Sequence, residues 1–441
     1  MKKIEIHNFR CFENLELELN SGVNLLIGDN ASGKTTILRA LRAAMSSFFA
    51  GYSDENTRFT GLKIDDFTQT IVNDSKAVFK PIKIEFVNSD YIEYPELQNN
   101  HLFKDVPIFI ALAGPKARTQ ITGIKEFKHY TKKLQDSMFS LGPENKQVKS
   151  LPLFASFTTE DIHSIRKINA NIFKDYFHKP SFGYYECLDG NGFLPYWIKR
   201  LIVLEEGLKS LSEVEAVRNA IIKALGVDGC NIISNMIVRP KQGKVYYIFT
   251  DGREVEAANL SDGYARLVNI VTDLSFRCML LNKGIYGLEA CSKTIGTVLI
   301  DEIDLHLHPT LQSVVIKGLQ IAFPKLQFII TTHAPMVMTS IQSDEENVIY
   351  KLSYKKEKGY EVNSIDLYGM DASTIIGVAL DTIPRSKEVD DELTKLFNFI
   401  DDDKYDEARE LLHDMKSRFR DSLPELIKAE TMLNFLVDSD D

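Results

Sequence analysis

A chain of 441 residues that is 44% hydrophobic and 26% charged cannot be a disulfide miniprotein, a collagen-like repeat or a wholly disordered segment. With 52 Lys+Arg against 62 Asp+Glu the formal net charge is -10, and at roughly 100 to 200 residues per domain the length suits two or three packed units. Five cysteines, at positions 11, 187, 230, 278 and 291, form no C-x-x-C pair, which predicts reduced thiols and neither a disulfide framework nor a zinc knuckle. The N-terminus lacks an apolar signal-like core and no apolar run approaches the ~18 residues of a membrane span, so a soluble, cytoplasmic protein with no membrane partner is expected.

Charge is unevenly spread. From Arg385 onward there are 17 acids and 9 bases, a balance of -8 that leaves only -2 for the preceding residues. Between Ala111 and Ser150 the excess reverses, with eight bases (among them Lys116, Arg118, Lys128 and Lys132) against three acids. Such a stretch can meet phosphates, but stacking aromatics are sparse there and a solvated lysine face is the favoured reading.

In chain order, Ile4 and Ile6, then Leu15, Leu17 and Leu19, alternate with polar residues and predict a β-hairpin. The apolar run 23–27 predicts a buried strand, and helical spacing follows over 35–48. Strands are expected at 81–87 and 106–113, and largely helical segments at 160–177 and 194–225. Further strands are expected at 233–238, 245–249, 297–301 and 326–331, with a helix from Gly263; helices alternating with the last strands predict a parallel sheet covered on its faces. No sustained heptad argues for a coiled coil, and no repeat or low-complexity segment stands out. Residues 389–435 read as three amphipathic helices broken near Asp401-Asp402-Asp403 and Leu423-Pro424.

Gly28-Asp-Asn-Ala-Ser-Gly33-Lys34-Thr35 fits G-x-x-x-x-G-K-[ST] between a predicted strand and a predicted helix, as that motif requires. Its glycines let successive N–H groups and a helix N-terminus converge on phosphate oxygens. Lys34 is then expected to reach the β- and γ-phosphates of ATP and the Thr35 hydroxyl to hold Mg²⁺. Thr297-Val-Leu-Ile-Asp301-Glu302 reads as a buried strand ending in two acids, where ligands of open α/β sheets sit. Asp301 is expected to support the Mg²⁺ and Glu302 to be the base for the attacking water. Thr331-Thr332-His333 ends the next strand, and His333 is the candidate γ-phosphate sensor. In Leu260-Ser261-Asp262-Gly263-Tyr264, Ser261 suits an N-cap and Gly263 allows close backbone approach, giving a second phosphate-facing helix start.

These four segments together resemble ABC-type P-loop ATPase heads of the RecF, Rad50 and SMC kind, over residues 1 to about 350. The phrases IHNFRCFENLELEL, LSDGYARLVNIVTDL, VLIDEIDLHLHP and FPKLQFIITTHAP, and the tail LFNFIDDDKYDEARELLHDM, are similar to the PtuA-type ATPases of Septu anti-phage systems and some retrons. The resemblance implies an α/β fold with a mixed or parallel sheet flanked by helices, a helical insertion and a C-terminal helical appendage. The expected segments are 1–90 and 231–384 for the ATPase head, 91–230 for a mostly helical insertion, and 385–441 for an acidic helical tail. It further implies a homodimer or higher homo-oligomer with ATP at the interface. There Asn30, Ala31, Ser32, Gly33, Lys34, Thr35 and Thr36 of one copy would meet Ser261, Asp262 and Gly263 of the other. Arg10 matches an N-terminal arginine that approaches the nucleotide, Asp304 falls on a loop that crosses to the partner, and Gln69 is the nearest candidate for a Q-loop glutamine. Asp262 stands where transporter-type signatures carry a second glycine.

The same resemblance suggests a regulatory ATPase that is not itself a nuclease, since 108 residues follow His333, too few for a Toprim domain, and no HNH cluster appears. Cutting would fall to an HNH endonuclease partner of the PtuB type. A RecF-like DNA-binding repair ATPase is the alternative. A transporter subunit fits poorly, because 232 residues separate Gly28 from Leu260, and a scaffold that only binds ATP would not need Glu302. A metal site at His306 and His308 lacks an evident third ligand.

Overall fold

The computed structural model describes residues 1–54, 56–72, 76–87, 108–114, 120–122, 124–140, 144–159, 179–190, 193–207, 211–420 and 422–437. The helical expectation for 160–177 lies outside them. The chain folds as two compact units, Met1–Ala372 and Ser373–Asp441.

The first unit is built on a six-stranded sheet. In chain order its strands are β3 (Val23–Gly28), β9 (Leu153–Phe157), β13 (Gly296–Ile300), β14 (Leu326–Thr331), β15 (Val348–Lys355) and β16 (Gly359–Ile365), in spatial order β16-β15-β3-β14-β13-β9. All neighbours run parallel except the β15–β16 hairpin. Every residue of β3, β13 and β14 is buried, which explains why they read as mainly apolar rather than alternating, with Asn24, Thr297, Gln327 and Thr331 as buried polar exceptions: helices cover both faces of a parallel sheet. Each fully buried Ile or Leu there contributes about 1.5–3 kcal/mol.

A second, antiparallel sheet orders β2 (Phe12–Glu18), β1 (Lys3–Phe9), β6 (Ile82–Val87), β7 (Ile108–Leu112) and β8 (Gln120–Thr122). The hairpin β1–β2 pairs Ile4 with Leu17 and Ile6 with Leu15, so the alternating apolar positions share one buried face. Smaller antiparallel sheets join β4 (Gln69–Val72) to β5 (Lys76–Phe79), and β10 (Ile233–Arg239) to β11 (Lys244–Phe249) and β12 (Glu254–Glu256).

The stretch 91–230, expected to be mostly helical, contributes β9 to the edge of the main sheet, paired along β13 from Leu153 against Gly296 to Phe157 against Ile300. Five residues are too short a run for periodicity to distinguish a buried strand from a helical turn. Downstream, the helices Leu194–Glu206 and Leu211–Leu225 flank the 25-residue helix Asp262–Tyr286. Between them lie the buried ions Arg200, Glu213, Asp273 and Arg277: Arg200 donates to Glu213 at 2.7 Å, exposed Lys283 reaches the other Glu213 oxygen at 2.5 Å, and Arg277 pairs with Asp273 at 2.6 Å.

The second unit holds the helices Lys387–Asp401, Tyr405–Phe419 and Pro424–Val437. They meet over a core that includes Leu396, Ala408, Met415, Leu426 and Leu433. The breaks fall at the two positions that the sequence marked, because Asp403 adopts a left-handed φ of 59° and Pro424 takes the first helical position. Among the described residues no helix is long and apolar enough to cross a membrane.

Candidate functional site

Strand order makes the site. Because β14 lies between β3 and β13, the segments leaving the C-terminal ends of these three parallel strands emerge side by side. They are the glycine loop after β3, Asp301-Glu302 after β13 and Thr331-Thr332-His333 at the end of β14. A cleft of about 620 Å³ is lined by Asn30 to Thr36 of the loop, by Asp301, Glu302, Thr331 and His333, and by Arg10, Cys11 and Tyr360.

The loop conformation demands its glycines. Gly28 has φ 141° and Gly33 φ 96°, and Ala31 between them is also left-handed at 65°. A Cβ on Gly28 would stand 2.2 Å from the Leu352 carbonyl oxygen, and one on Gly33 would stand 2.3 Å from Cζ of the buried Phe12. The loop is thus wedged between β15 and the first hairpin. The helix Lys34–Ser46 starts at once behind it, so its unpaired N–H groups face the cleft.

Lys34 is buried and folds back over the loop, donating to the Gly28 and Asp29 carbonyl oxygens, each at 2.8 Å. Burial lowers its pKa, while Asp29 and Asp301 act in the opposite sense. The Thr35 hydroxyl lies 3.2 Å from Asp301 Oδ2, and Thr331 Oγ1 donates to Asp301 Oδ1 at 2.6 Å. A hydroxyl facing a braced carboxylate is an oxygen-only donor set that suits Mg²⁺, so these residues fit a magnesium–phosphate group, as the glycine cradle does.

Glu302 sits in the left-handed region at φ 49°, a conformation that costs a non-glycine residue about 1–2 kcal/mol. Its N–H donates to Thr331 Oγ1 at 2.8 Å, so one threonine hydroxyl braces the Asp301 carboxylate and the Glu302 backbone. His333 is half-buried, and burial, then the charge of Lys34, lowers its pKa. Asp304 accepts from Thr332 Oγ1 at 2.5 Å, tying the turn after β13 to the end of β14. Arg10 occupies the two-residue turn between the paired Phe9 and Phe12, with φ 52°, and its N–H donates to the Asp66 carbonyl oxygen at 2.8 Å. Gln69 opens β4.

Ser261, Asp262 and Gly263 are not brought to this cleft. Ser261 is the N-cap residue of the helix Asp262–Tyr286, yet its hydroxyl makes no capping hydrogen bond, and both Ser261 and Asp262 are exposed. Gly263 is needed for its own chain: a Cβ there would stand 2.4 Å from the His306 carbonyl oxygen. One turn along, buried Arg266 donates to the Asp301 carbonyl oxygen at 2.5 Å, linking this helix to the acidic strand end. His306 is exposed, and His308 instead caps a short helix, its Nδ1 accepting from Thr310 N at 3.3 Å. Among the described residues no group of three His, Cys, Asp or Glu is arranged to hold a metal.

Sequence reasoning missed Cys11 and Tyr360. Cys11 adjoins Arg10 in the same turn and was readable by adjacency. Tyr360 arrives through the β15–β16 hairpin, packs edge-on against Phe12 with centroids 5.0 Å apart, and carried no local signal.

The family model described as AAA domain matches residues 3–225, half of the chain. "Retron Vc95 probable ATPase" of Vibrio cholerae is 35% identical over 143 residues, which are 32% of this chain and 27% of that protein. "Retron Ec83 probable ATPase" of Escherichia coli is 24% identical over 486 aligned positions, 92% of this chain and 82% of the relative. "Septu protein PtuA" of Bacillus mycoides is 24% identical over 408 positions, 89% of this chain and 46% of the relative. The chain therefore spans under half the length of two of these three proteins. Among solved structures, an SMC head bound to the C-winged helix domain of ScpA aligns over 83% of this chain and 97% of its own at 16% identity and a TM-score of 0.46. With its glycine loop and acidic strand end on parallel strands of one sheet, the chain belongs to the AAA-domain family and is similar to the Septu PtuA and retron ATPases.

Proposed function

We propose that this chain binds and hydrolyses ATP as the regulatory subunit of an anti-phage defence complex, working as a head-to-head dimer that controls a partner HNH endonuclease. The observation that carries the reading is the separation, within one chain, of the cleft from an exposed Ser261 whose hydroxyl caps nothing. A two-fold dimer would set each serine-started helix over the other copy's glycine loop and make both sites depend on both chains. The names of the Septu and retron relatives support the defence setting.

In this reading Lys34 exchanges its two carbonyl partners for the β- and γ-phosphates, and loop N–H groups hold the remaining oxygens. Thr35 and Asp301 would hold Mg²⁺, which when bound would neutralise phosphate charge. Glu302 accepts the proton of the attacking water, and His333 contacts the γ-phosphate and distinguishes ATP from ADP. Arg10 approaches the nucleotide from the hairpin turn, and Ser261, Asp262 and Gly263 of the second copy complete the phosphate shell. ATP can act as a switch only by binding the closed dimer more tightly than the open one, and the second copy's contacts supply that difference. The nuclease is assigned to the acidic helical tail from Val389 onward.

The test is Glu302→Gln. It should retain ATP, accumulate dimer and turn over roughly 100-fold or more slower than the unaltered chain, while Lys34→Ala should lose nucleotide binding. Wild-type turnover in Glu302→Gln would remove the base from the scheme. Deleting 389–441 should end co-purification with the nuclease while leaving ATP binding intact; persistent co-purification would move the docking site elsewhere.

A further inference from the structure

A second cavity of about 170 Å³ opens along the helix Lys34–Ser46 and shares no lining residue with the nucleotide cleft. It is close in size to the ~150 Å³ engineered cavity that admits a benzene-sized guest and smaller than the ~300–1,000 Å³ of pockets for drug-sized ligands. A single phosphate group fits this space and a whole nucleotide does not.

Three cationic residues, Arg39, Arg42 and Lys63, line it against two acidic ones, Asp66 and Asp189. The two acids offset part of that charge and leave an excess of one cation. Asp66 is buried and already engaged: its Oδ1 lies 2.7 Å from Arg39 Nε, and its Oδ2 accepts from Lys63 N at 2.7 Å. Asp189 is exposed. Arg42 is half-buried, and among the described residues its guanidinium makes no hydrogen bond or ion pair. Burial, then the like charge of Arg39, lowers its pKa, while Asp189 and Asp66 act in the opposite sense. A guanidinium presents donors in a planar fork that matches the oxygens of a phosphate. Arg39 and Arg42 stand three residues apart on one helix and so share a face, with exposed Lys63 opposite on the loop.

We propose that this cavity is a binding site for the inorganic phosphate ion, gripped by Arg42 and flanked by Arg39 and Lys63. The Asp66 carbonyl oxygen accepts from Arg10 N, so the loop that closes the cavity is bonded to the turn that carries Arg10. The site does not depend on the reading of the neighbouring cleft.

The experiment is calorimetric titration of the full chain with inorganic phosphate at fixed ionic strength, in a Lys34→Ala background that silences the glycine loop. One phosphate should still bind, and adding Arg42→Gln should weaken it roughly tenfold or more. Melting curves without phosphate check that Arg42→Gln is folded. Arg42→Lys, which keeps the charge and loses the fork, should bind with intermediate affinity if Arg42 acts on the ligand. Loss of all phosphate binding in Lys34→Ala alone, or equal binding with and without Arg42→Gln, would overturn the proposal.

Discussion

Gly33 shows how tightly the phosphate loop is specified at a single residue. Its φ of 96° is costly for any L side chain, and Phe12 occupies the space that a Cβ needs. Gly33→Val should therefore lower stability by about 1–3 kcal/mol and abolish nucleotide binding, read by denaturant melts and by ATP titration. His333 gives a pH prediction. Burial, then the Lys34 charge, lowers its folded pKa below the ordinary 6.5, so the folded chain refuses a proton that the unfolded chain accepts. Its share of stability is full above about pH 6.5 and is lost as pH falls toward the lowered value. Melting temperatures of the ligand-free chain should fall between about pH 7 and 5, and His333→Asn should flatten part of that fall. Arg42 extends the same logic to the second cavity, where an unpaired guanidinium is relieved by an anion.

Among elements, the long helix Asp262–Tyr286 depends on its buried ions. Glu213 is 2% exposed at its side chain and touches both Arg200 and Lys283. Burial resists its ionisation, but the two cations prevail and hold its pKa below the ordinary carboxylate value. Glu213→Ala would leave Arg200, 1% exposed, as a buried cation without its carboxylate. The loss should be about 3–5 kcal/mol in chemical denaturation, whereas a loss under ~1 kcal/mol would mean that water reaches the arginine. None of this was legible in the sequence, because Arg200, Glu213 and Lys283 come from three different helices. The elements themselves were largely legible. Strands β3, β13 and β14 stand within a residue of their expected bounds, since mainly apolar runs of this length favour a setting buried on both faces. The short edge strand β9 and the β15–β16 hairpin were not, because their pairing partners lie far away in sequence and local pattern does not encode them.

Across the whole molecule, the exposed Ser261 and Asp262 set a prediction about assembly. In the Glu302→Gln background ATP should convert monomer to dimer in light scattering, and adding Ser261→Arg should prevent this while leaving single-chain nucleotide affinity within about threefold. A Glu302→Gln, Ser261→Arg chain that still dimerises with ATP would break the shared-site model. The C-terminal helices carry a core of their own around Leu396, Met415 and Leu426, so truncation before residue 387 should leave the melting of the first unit cooperative, as two compact units predict.

By itself the sequence determined which segments line the cleft at the strand ends: the glycine loop, Asp301, Glu302 and His333 are each written into a contiguous run whose strand, turn or helix start is fixed by local physics. Tertiary structure alone decided which runs meet. Placing β14 between β3 and β13 brings three distant strand ends together, hairpins add Arg10, Cys11 and Tyr360, and the Ser261 helix start is kept on the surface. Those outcomes follow from pairing and packing across hundreds of residues, which short-range periodicity cannot carry.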